Sequence, residues 1–219
     1  IGEYDDPNNQ RQGLLTIDFN NTGNTLIYGL NGKEIMLSSI LYSLMIMHGP
    51  NEVNFYIIDF GTEIFGMFKD APQVGDVVYI NENEKLVNLL NTITKELERR
   101  KKLFVDYNGD YNLYIKNSGN TLPRCIVIIN NYELFSETYD DYVDIISGLT
   151  REGERYGIMF ILTASGVNSV RGKTSQNFSN QLCLQFNDPT DYSSILGSTH
   201  GLVPSDVLGR GLVKVKGEI

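Results

Sequence analysis

The chain has 219 residues, 41% of them hydrophobic, and its 27 acidic side chains outnumber the 18 basic ones to give a net charge of −9. That length suits one filled core, so we expect residues 1–219 to form a single domain. The negative charge repels phosphate backbones and argues against nucleic acid as a partner.

The remaining composition excludes further classes of function. The two cysteines lie in apolar runs, and two histidines without any CxxC motif make no zinc set. No apolar run is long enough to span a bilayer. Because the sequence opens at Ile1 without a basic leader and closes at Ile219, we expect it to be a piece of a longer chain.

Apolar runs of two kinds alternate along the chain. Those with strand character are residues 14–19, 26–28, 54–59, 76–80, 125–129, 157–163, 182–186 and 211–215, with a turn predicted at residues 20–23. Those with helical periodicity are residues 35–47, 86–97 and 142–149, and residues 132–134 begin a further helix. Residues 107–123 and 165–180 are interpreted as long loops that contact a neighbour.

Two of these helices carry specific expectations. The helix at residues 35–47 is apolar on nearly every face, so we expect it to be covered on most sides. The second helix is followed by a basic run at residues 98–102, which we expect to be a solvated helix face.

This alternation predicts an α/β fold with a mostly parallel sheet covered on both faces. Ligands of such sheets bind at the carboxyl ends of the strands. The residues predicted there are Tyr28, Gly29, Asp59, Asn130 and residues 163–165.

The segment after residues 26–28 has the order strand, glycine turn, lysine and helix, which is typical of a phosphate-binding P-loop. The consensus GxxxxGK[ST] has four residues between its glycines and a hydroxyl that holds Mg²⁺ after its lysine. Here two residues separate Gly29 from Gly32, and Glu34 replaces the hydroxyl. A carboxylate about 4 Å from a phosphate costs on the order of 4 kcal/mol at an effective dielectric near 20, so tight Mg-ATP binding is not expected. Glu34 in the first turn of a helix is also favoured by the helix dipole.

An ordered set of segments along nearly the whole chain is more specific than this loop. It comprises residues 5–7 (DDP), 10–12 (QRQ), 29–34 (GLNGKE), 53–61 (VNFYIIDFG), 75–78 (GDVV), 151–158 (REGERYGI), 187–192 (NDPTDY) and 209–212 (GRGL). In this set the chain resembles the FtsK/SpoIIIE ATPases, and among them the degenerate C-terminal ATPase module of the EssC/EccC membrane proteins of type VII secretion.

The resemblance implies a RecA-like P-loop NTPase fold and assigns residues to its site. The nucleotide-binding positions are Gly29, Leu30, Asn31, Gly32, Lys33 and Glu34. Asn130 and Asn131 stand at the Walker B positions, where the family has an acid that orders Mg²⁺. No residue is therefore assigned as catalytic or metal-binding. We expect weak ATP binding, no firm Mg²⁺ site and little or no hydrolysis.

Three functions stay open at this point. The first is a degenerate module of a type VII secretion motor, with an assembly, regulatory or substrate-recognition role in protein export. The second is an active Mg-ATPase that translocates protein or DNA and uses Asp59, Glu133 or Glu34 as substitute acids. The third is a protein-binding adaptor with an empty P-loop.

By the same resemblance, the partners are neighbouring ATPase modules of the parent chain and secreted proteins with helical C-terminal export signals. Nucleic acid is not among them. The module would be a cytoplasmic domain of a bacterial cell-membrane protein and contact the membrane only through the rest of that protein. Two roles stay open for each of four arginines, which either act on a neighbouring module or form a surface ion pair. They are Arg151, Arg155, Arg171 and Arg210.

Overall fold

The computed structural model describes residues 1–6, 10–19 and 23–214, and every element below lies in those ranges. A hairpin comes first, made of β1 (Gly2–Asp6) and β2 (Arg11–Leu15). The main sheet has seven strands in the order β5-β4-β6-β7-β3-β8-β9. They are β3 (Thr25–Tyr28), β4 (Val53–Asp59), β5 (Val74–Tyr79), β6 (Arg124–Asn130), β7 (Ile158–Ala164), β8 (Asn180–Cys183) and β9 (Leu212–Val213).

The pairs from β5 to β8 are parallel, and β9 joins β8 in the antiparallel sense. The helices are α1 (Lys33–Met47), α2 (Asn83–Leu103), α3 (Tyr111–Ser118), α4 (Tyr132–Thr138), α5 (Val143–Gly153), α6 (Gly172–Ser175) and α7 (Pro189–Leu196). The predicted α/β class with a mostly parallel sheet is confirmed. None of the helices in the described ranges is both long and apolar enough to cross a membrane.

Helices cover the sheet on both of its faces. Apolar side chains of α2, α4, α5 and α7 pack in one cluster on the first face. On the second face, α1 packs with the 3₁₀ turn Ile64–Phe68. Every residue of β6 and β7 is buried, which explains why these strands are apolar at nearly all positions.

Several predicted boundaries need correction. The strand predicted at residues 14–19 is the end of β2 followed by irregular chain. A helix, α3, lies inside the loop predicted at residues 107–123, because the Asp110 side chain accepts a hydrogen bond from the Leu113 amide at 2.8 Å and caps it. Residues 7, 20–22 and 215 of the predicted segments lie outside the described residues.

The prediction that α1 is covered on most sides is wrong for this chain. Leu37 and Leu41 are buried against the sheet, whereas Ile46 on the opposite face is 82% exposed. The basic run at residues 98–102 is only partly a solvated face, because Arg100 is fully buried. Its guanidinium reaches carbonyl oxygens at the start of the sheet, which the helical periodicity of the sequence does not reveal.

Candidate nucleotide site

The loop between β3 and α1 is pinned to the neighbouring strands by its backbone. The Gly29 amide donates to the Ala164 carbonyl and the Leu30 amide to the Gln185 carbonyl, each at 3.0 Å. Gly29 has φ 143°, and a β-carbon there would lie 2.8 Å from that of Leu184. These two amide groups are therefore engaged by protein and do not point freely toward a phosphate.

The Lys33 side chain turns back into this loop. Only 7% of the residue is exposed, and its ammonium donates to the carbonyl oxygen of Gly29. It also lies 3.3 Å from the Ser165 hydroxyl and 3.5 Å from the Leu30 carbonyl oxygen. The ammonium thus closes the loop onto the end of β7, and its contact with a nucleotide stays a prediction.

The first Walker B position, Asn130, is enclosed by hydrogen bonds at the end of β6. The residue is fully buried, its side-chain Nδ2 donates to Asp59 Oδ1 at 2.9 Å, and its Oδ1 accepts from the Thr163 hydroxyl at 2.7 Å. Asp59 also accepts from the amides of Gly61 at 3.1 Å and Phe65 at 3.2 Å. The side chains of Asp59, Asn130 and Thr163 therefore connect the carboxyl ends of the adjacent strands β4, β6 and β7.

The second Walker B position, Asn131, serves the local backbone. It has a left-handed φ of 66° and caps α4 by accepting a hydrogen bond from the Leu134 amide at 3.3 Å. Its Nδ2 donates to the Phe60 carbonyl at 3.2 Å. Asparagine is among the residues that tolerate this backbone conformation, which gives a structural reason for its presence here.

The acids considered as substitutes lie in different surroundings. Asp59 is fully buried, and both of its carboxylate oxygens accept hydrogen bonds. Glu133 Oε1 accepts from the Ser165 amide at 2.7 Å, while its Oε2 is buried without a hydrogen-bond partner. Ser165 therefore links Glu133 to Lys33, a role that its place after a buried strand does not by itself disclose.

These residues do not fit the Mg²⁺ ion that the fold implies. In P-loop sites the hydroxyl after the lysine and the Walker B acid hold Mg²⁺, but Glu34 stands at the first position and Asn130, engaged by Asp59 and Thr163, at the second. Within residues 1–6, 10–19 and 23–214 no group of three or more His, Cys, Asp or Glu side chains could hold a metal ion. We therefore derive no metal-dependent step.

The strands β3 and β8 each end in a buried side chain with a raised pKa. Burial, followed by the proximity of Cys183, raises the pKa of Tyr28 to about 12. Burial also raises the pKa of Cys183 to about 12. The two residues are partners in the β3–β8 register, and both side chains are neutral at neutral pH.

A C-terminal segment packs over the other side of the loop. The Gln185 side chain donates to the carbonyls of Ser205 at 3.1 Å and Val207 at 3.0 Å. Gly32 has φ 85°, and a β-carbon on it would lie 3.4 Å from the Gly209 nitrogen. Residues 205–209 thereby border the position at which a phosphate would enter.

The four candidate arginines have partners within the chain. Arg171 pairs with Asp140 at 2.7 Å and Arg151 with Glu152 at 3.1 Å, with more than half of each arginine side chain exposed. These two fit the surface ion-pair interpretation. Arg155 donates to the Asn108 carbonyl, and Arg210 donates to the Ser205 hydroxyl at 3.0 Å.

The topology places the P-loop strand β3 between β7 and β8, with the Walker B strand β6 beyond β7. A model of the FtsK/SpoIIIE family matches residues 6–191. The chain belongs to the FtsK/SpoIIIE family. The solved EssC from Geobacillus thermodenitrificans that holds ATPases 2 and 3 superposes with a TM-score of 0.91 at 27% identity, over 98% of this chain and 42% of that one. The predicted P-loop NTPase fold is confirmed.

Curated relatives of this FtsK/SpoIIIE chain are type VII secretion proteins. EssC from Staphylococcus aureus (strain NCTC 8325 / PS 47) is 25% identical over 218 residues, which is 97% of this chain and 15% of that protein. The chain thus spans about 15% of the length of such relatives. EccC from Thermomonospora curvata (ATPases 2 and 3), solved in complex with a signal sequence peptide, shares the fold with a TM-score of 0.84 at 24% identity, over 95% of this chain and 39% of that one.

Proposed function

We propose that this chain is a degenerate ATPase module of a type VII secretion motor that hydrolyses little or no ATP. Its role is then in assembly, regulation or substrate recognition during protein export. The observation that carries the proposal is the Asn130 side chain, which is buried and fully engaged by Asp59 and Thr163 where the family has a metal-ordering acid.

The chemistry of phosphoryl transfer explains why this observation matters. Catalysis of that reaction depends on positioning and on the neutralisation of charge by Mg²⁺. An amide supplies no charge to the metal and no base to the attacking water. Loss of a positioned base alone removes about 10²–10⁴ in rate. The hydroxyl after Lys33 is replaced as well, so the contributions of the metal ligands and of the base to catalysis are lost together.

Nucleotide affinity would be weak on this proposal. ATP would meet the first-turn amides of α1, but the Glu34 carboxylate stands in that turn. Lys33 would have to leave the carbonyls of Gly29 and Leu30 to reach a phosphate. Both features make the free energy of ATP binding less favourable, and Mg²⁺ would add little to the affinity.

Protein contacts would supply the function instead. The similar EccC from T. curvata was solved with a signal sequence peptide, so we propose that this module binds helical export signals of secreted proteins or an adjoining ATPase module. The net charge of −9 argues against nucleic acid. We further propose that the module is a cytoplasmic domain of a membrane protein and touches the membrane only through the rest of that protein.

One observation favours the alternative of an active ATPase. Glu133 Oε2 is buried without a partner, next to the Ser165 residue that contacts Lys33. A carboxylate in this position could replace the missing base. This second function would make Glu133 the catalytic residue and Lys33 its phosphate-binding neighbour.

Steady-state phosphate release separates the two functions. We expect no turnover above buffer for the wild-type chain with ATP and Mg²⁺. Turnover that disappears in both Glu133→Gln and Lys33→Met would establish the alternative. Binding is measured in parallel with a synthetic export-signal helix and with duplex DNA. Retention of the helix at high salt supports the proposal, and salt-sensitive binding of DNA alone contradicts it.

A further inference from the structure

The outward face of α1 carries apolar side chains that nothing in the described chain covers. Ile35 is 51% exposed, Tyr42 52% and Ile46 82%. Their spacings of seven and four residues place them in one line along the helix. The opposite face of the same helix is buried in the core through Leu37 and Leu41.

The neighbouring 3₁₀ turn Ile64–Phe68 widens this apolar line into a surface. The Tyr42 hydroxyl lies 3.7 Å from Met67 Sδ, and the centroids of the Tyr42 and Phe68 rings are 4.9 Å apart. Met67 is itself 63% exposed. We define the α1 surface by its exposed members, which are Ile35, Tyr42, Ile46, Met47, Ile64 and Met67.

Two physical arguments make the α1 surface an interface. A helix that is apolar all round is normally buried all round, and α1 is apolar on both of its broad faces. A contiguous exposed apolar surface with a polar rim is typical of a protein contact. The rim here is charged, with Glu63 beside Ile64 and with Lys69 and Asp70 beyond Met67, all exposed.

The shape of the surface limits the kind of partner. α1 has 15 residues and is therefore about 22 Å long. Cavities of about 520 and 410 Å³ lie elsewhere on the chain and are lined by none of the residues that define the α1 surface. A single helical peptide needs a groove to bury its apolar face. A folded partner with an apolar centre fits better.

We propose that the α1 surface docks an adjoining ATPase module of the same polypeptide. This rests on the proposed function in taking the chain as one module of several. The solved EssC chain with ATPases 2 and 3 is more than twice as long as the part that this chain covers, so its relatives carry such a neighbour. A second copy of this chain is the competing occupant, which the oligomeric state distinguishes.

The first test is the oligomeric state of the 219-residue chain. We expect a monomer in sedimentation velocity for the wild type and for Ile46→Glu. A wild-type dimer that Ile46→Glu dissociates would overturn the proposal, because the occupant would then be a second copy.

The second test uses the full-length protein that contains this module. A photoreactive benzoylphenylalanine at position 46 should cross-link to another ATPase module within the same polypeptide. The same probe at Lys95, an exposed position on α2, should give no such product. Cross-links to a secreted protein or to a second polypeptide, or a yield no higher than at Lys95, would overturn the proposal.

A third measurement gives the size of the contact. With the adjoining module expressed separately, Ile46→Glu should weaken association by about 30-fold, equivalent to about 2 kcal/mol at 1.4 kcal/mol per factor of ten. Lys95→Glu introduces the same acid outside the surface and should leave affinity unchanged. None of these readouts uses ATP, so failure here is distinguishable from failure of the proposed lack of hydrolysis.

Discussion

The side-chain amide of Asn130 donates to the Asp59 carboxylate across 2.9 Å, at register partners on adjacent parallel strands. Both residues are fully buried. The Asn130 amide gives the Asp59 carboxylate a hydrogen-bond donor. Because this amide is neutral, it adds no second charge beside the carboxylate. An acid at position 130 would instead place two carboxylates in contact inside the sheet.

The Asn130→Asp variant should therefore lose stability instead of gaining ATPase activity. Two like charges about 4 Å apart cost on the order of 4 kcal/mol at an effective dielectric near 20. We expect a loss of this size in urea unfolding at neutral pH, with recovery in acid as one carboxyl takes up a proton. In the Asp59→Asn background the same change should cost much less. Phosphate release gained by the single variant would contradict this account.

The Lys33→Met variant tests whether the lysine closes its own loop. It removes the ammonium that contacts the Gly29 and Leu30 carbonyls and the Ser165 hydroxyl. Leaving such buried acceptors without a donor costs about 1–3 kcal/mol, so unfolding without nucleotide should occur at lower urea. Lys95→Met, at an exposed position, is the control. Unchanged stability together with lost ATP binding would assign Lys33 to phosphate alone.

The Glu34→Ser variant tests the predicted repulsion at the loop. Glu34 lies in the first turn of α1. If a phosphate binds there, removal of the carboxylate should raise ATP affinity in calorimetry, since each 1.4 kcal/mol of relieved repulsion is worth a factor of ten. Glu84→Ser, in the first turn of α2, is the matched control. Unchanged or weaker binding would show that Glu34 is not near the phosphates.

Arg99 and Arg100 share a partner, Glu96, but should differ in their contribution to stability. The Arg100 side chain also donates to the carbonyls of Tyr156 at 2.9 Å and Pro123 at 2.6 Å. Arg100→Ala would leave these carbonyl acceptors without their donor and Glu96 with Arg99 alone, at a cost of about 1–3 kcal/mol for each acceptor left unpaired. Arg99→Ala should cost less than about 1 kcal/mol because that pair is exposed. Chemical unfolding of both variants provides the comparison.

Alkaline pH should destabilise the fold through Tyr28. Its pKa is about 12 in the folded chain, above the ordinary value of 10.0, so the folded state keeps a proton that the unfolded state loses. The contribution of Tyr28 to stability is therefore full below pH 10 and is lost as the pH rises toward 12. Tyr28→Phe should flatten the part of this profile between pH 10 and pH 12. An unchanged slope in Tyr28→Phe would refute the assignment.

The sheet is predictable where burial makes nearly every position apolar, as in β6 and β7. β1 is not, because Glu3, Asp5 and Asp6 give it no apolar alternation and it pairs with β2 alone in the hairpin. The capping side chain of Asp110, rather than a long apolar stripe, marks α3. Short helices of this kind escape a search based on periodicity.

The candidate site is predictable in its location and less so in its contacts. The polar residues expected at one edge of the sheet do meet there, as the bonds among Asp59, Asn130 and Thr163 show. The contact of the Lys33 side chain with Ser165 is different, because the two residues lie 132 positions apart. A local motif specifies the backbone path of its loop but not which distant hydroxyl its lysine meets.

A helix that is apolar on opposite faces could sit on the sheet in two orientations related by half a turn. Periodicity cannot choose between them for α1, so contacts at its two ends must do so. Lys33 anchors the beginning of α1, and the Gln73 side chain holds the carbonyls of Met45 at 3.0 Å and His48 at 2.8 Å at its end. The rotation of α1 about its own axis therefore depends on hydrogen bonds at its two ends rather than on its hydrophobic pattern.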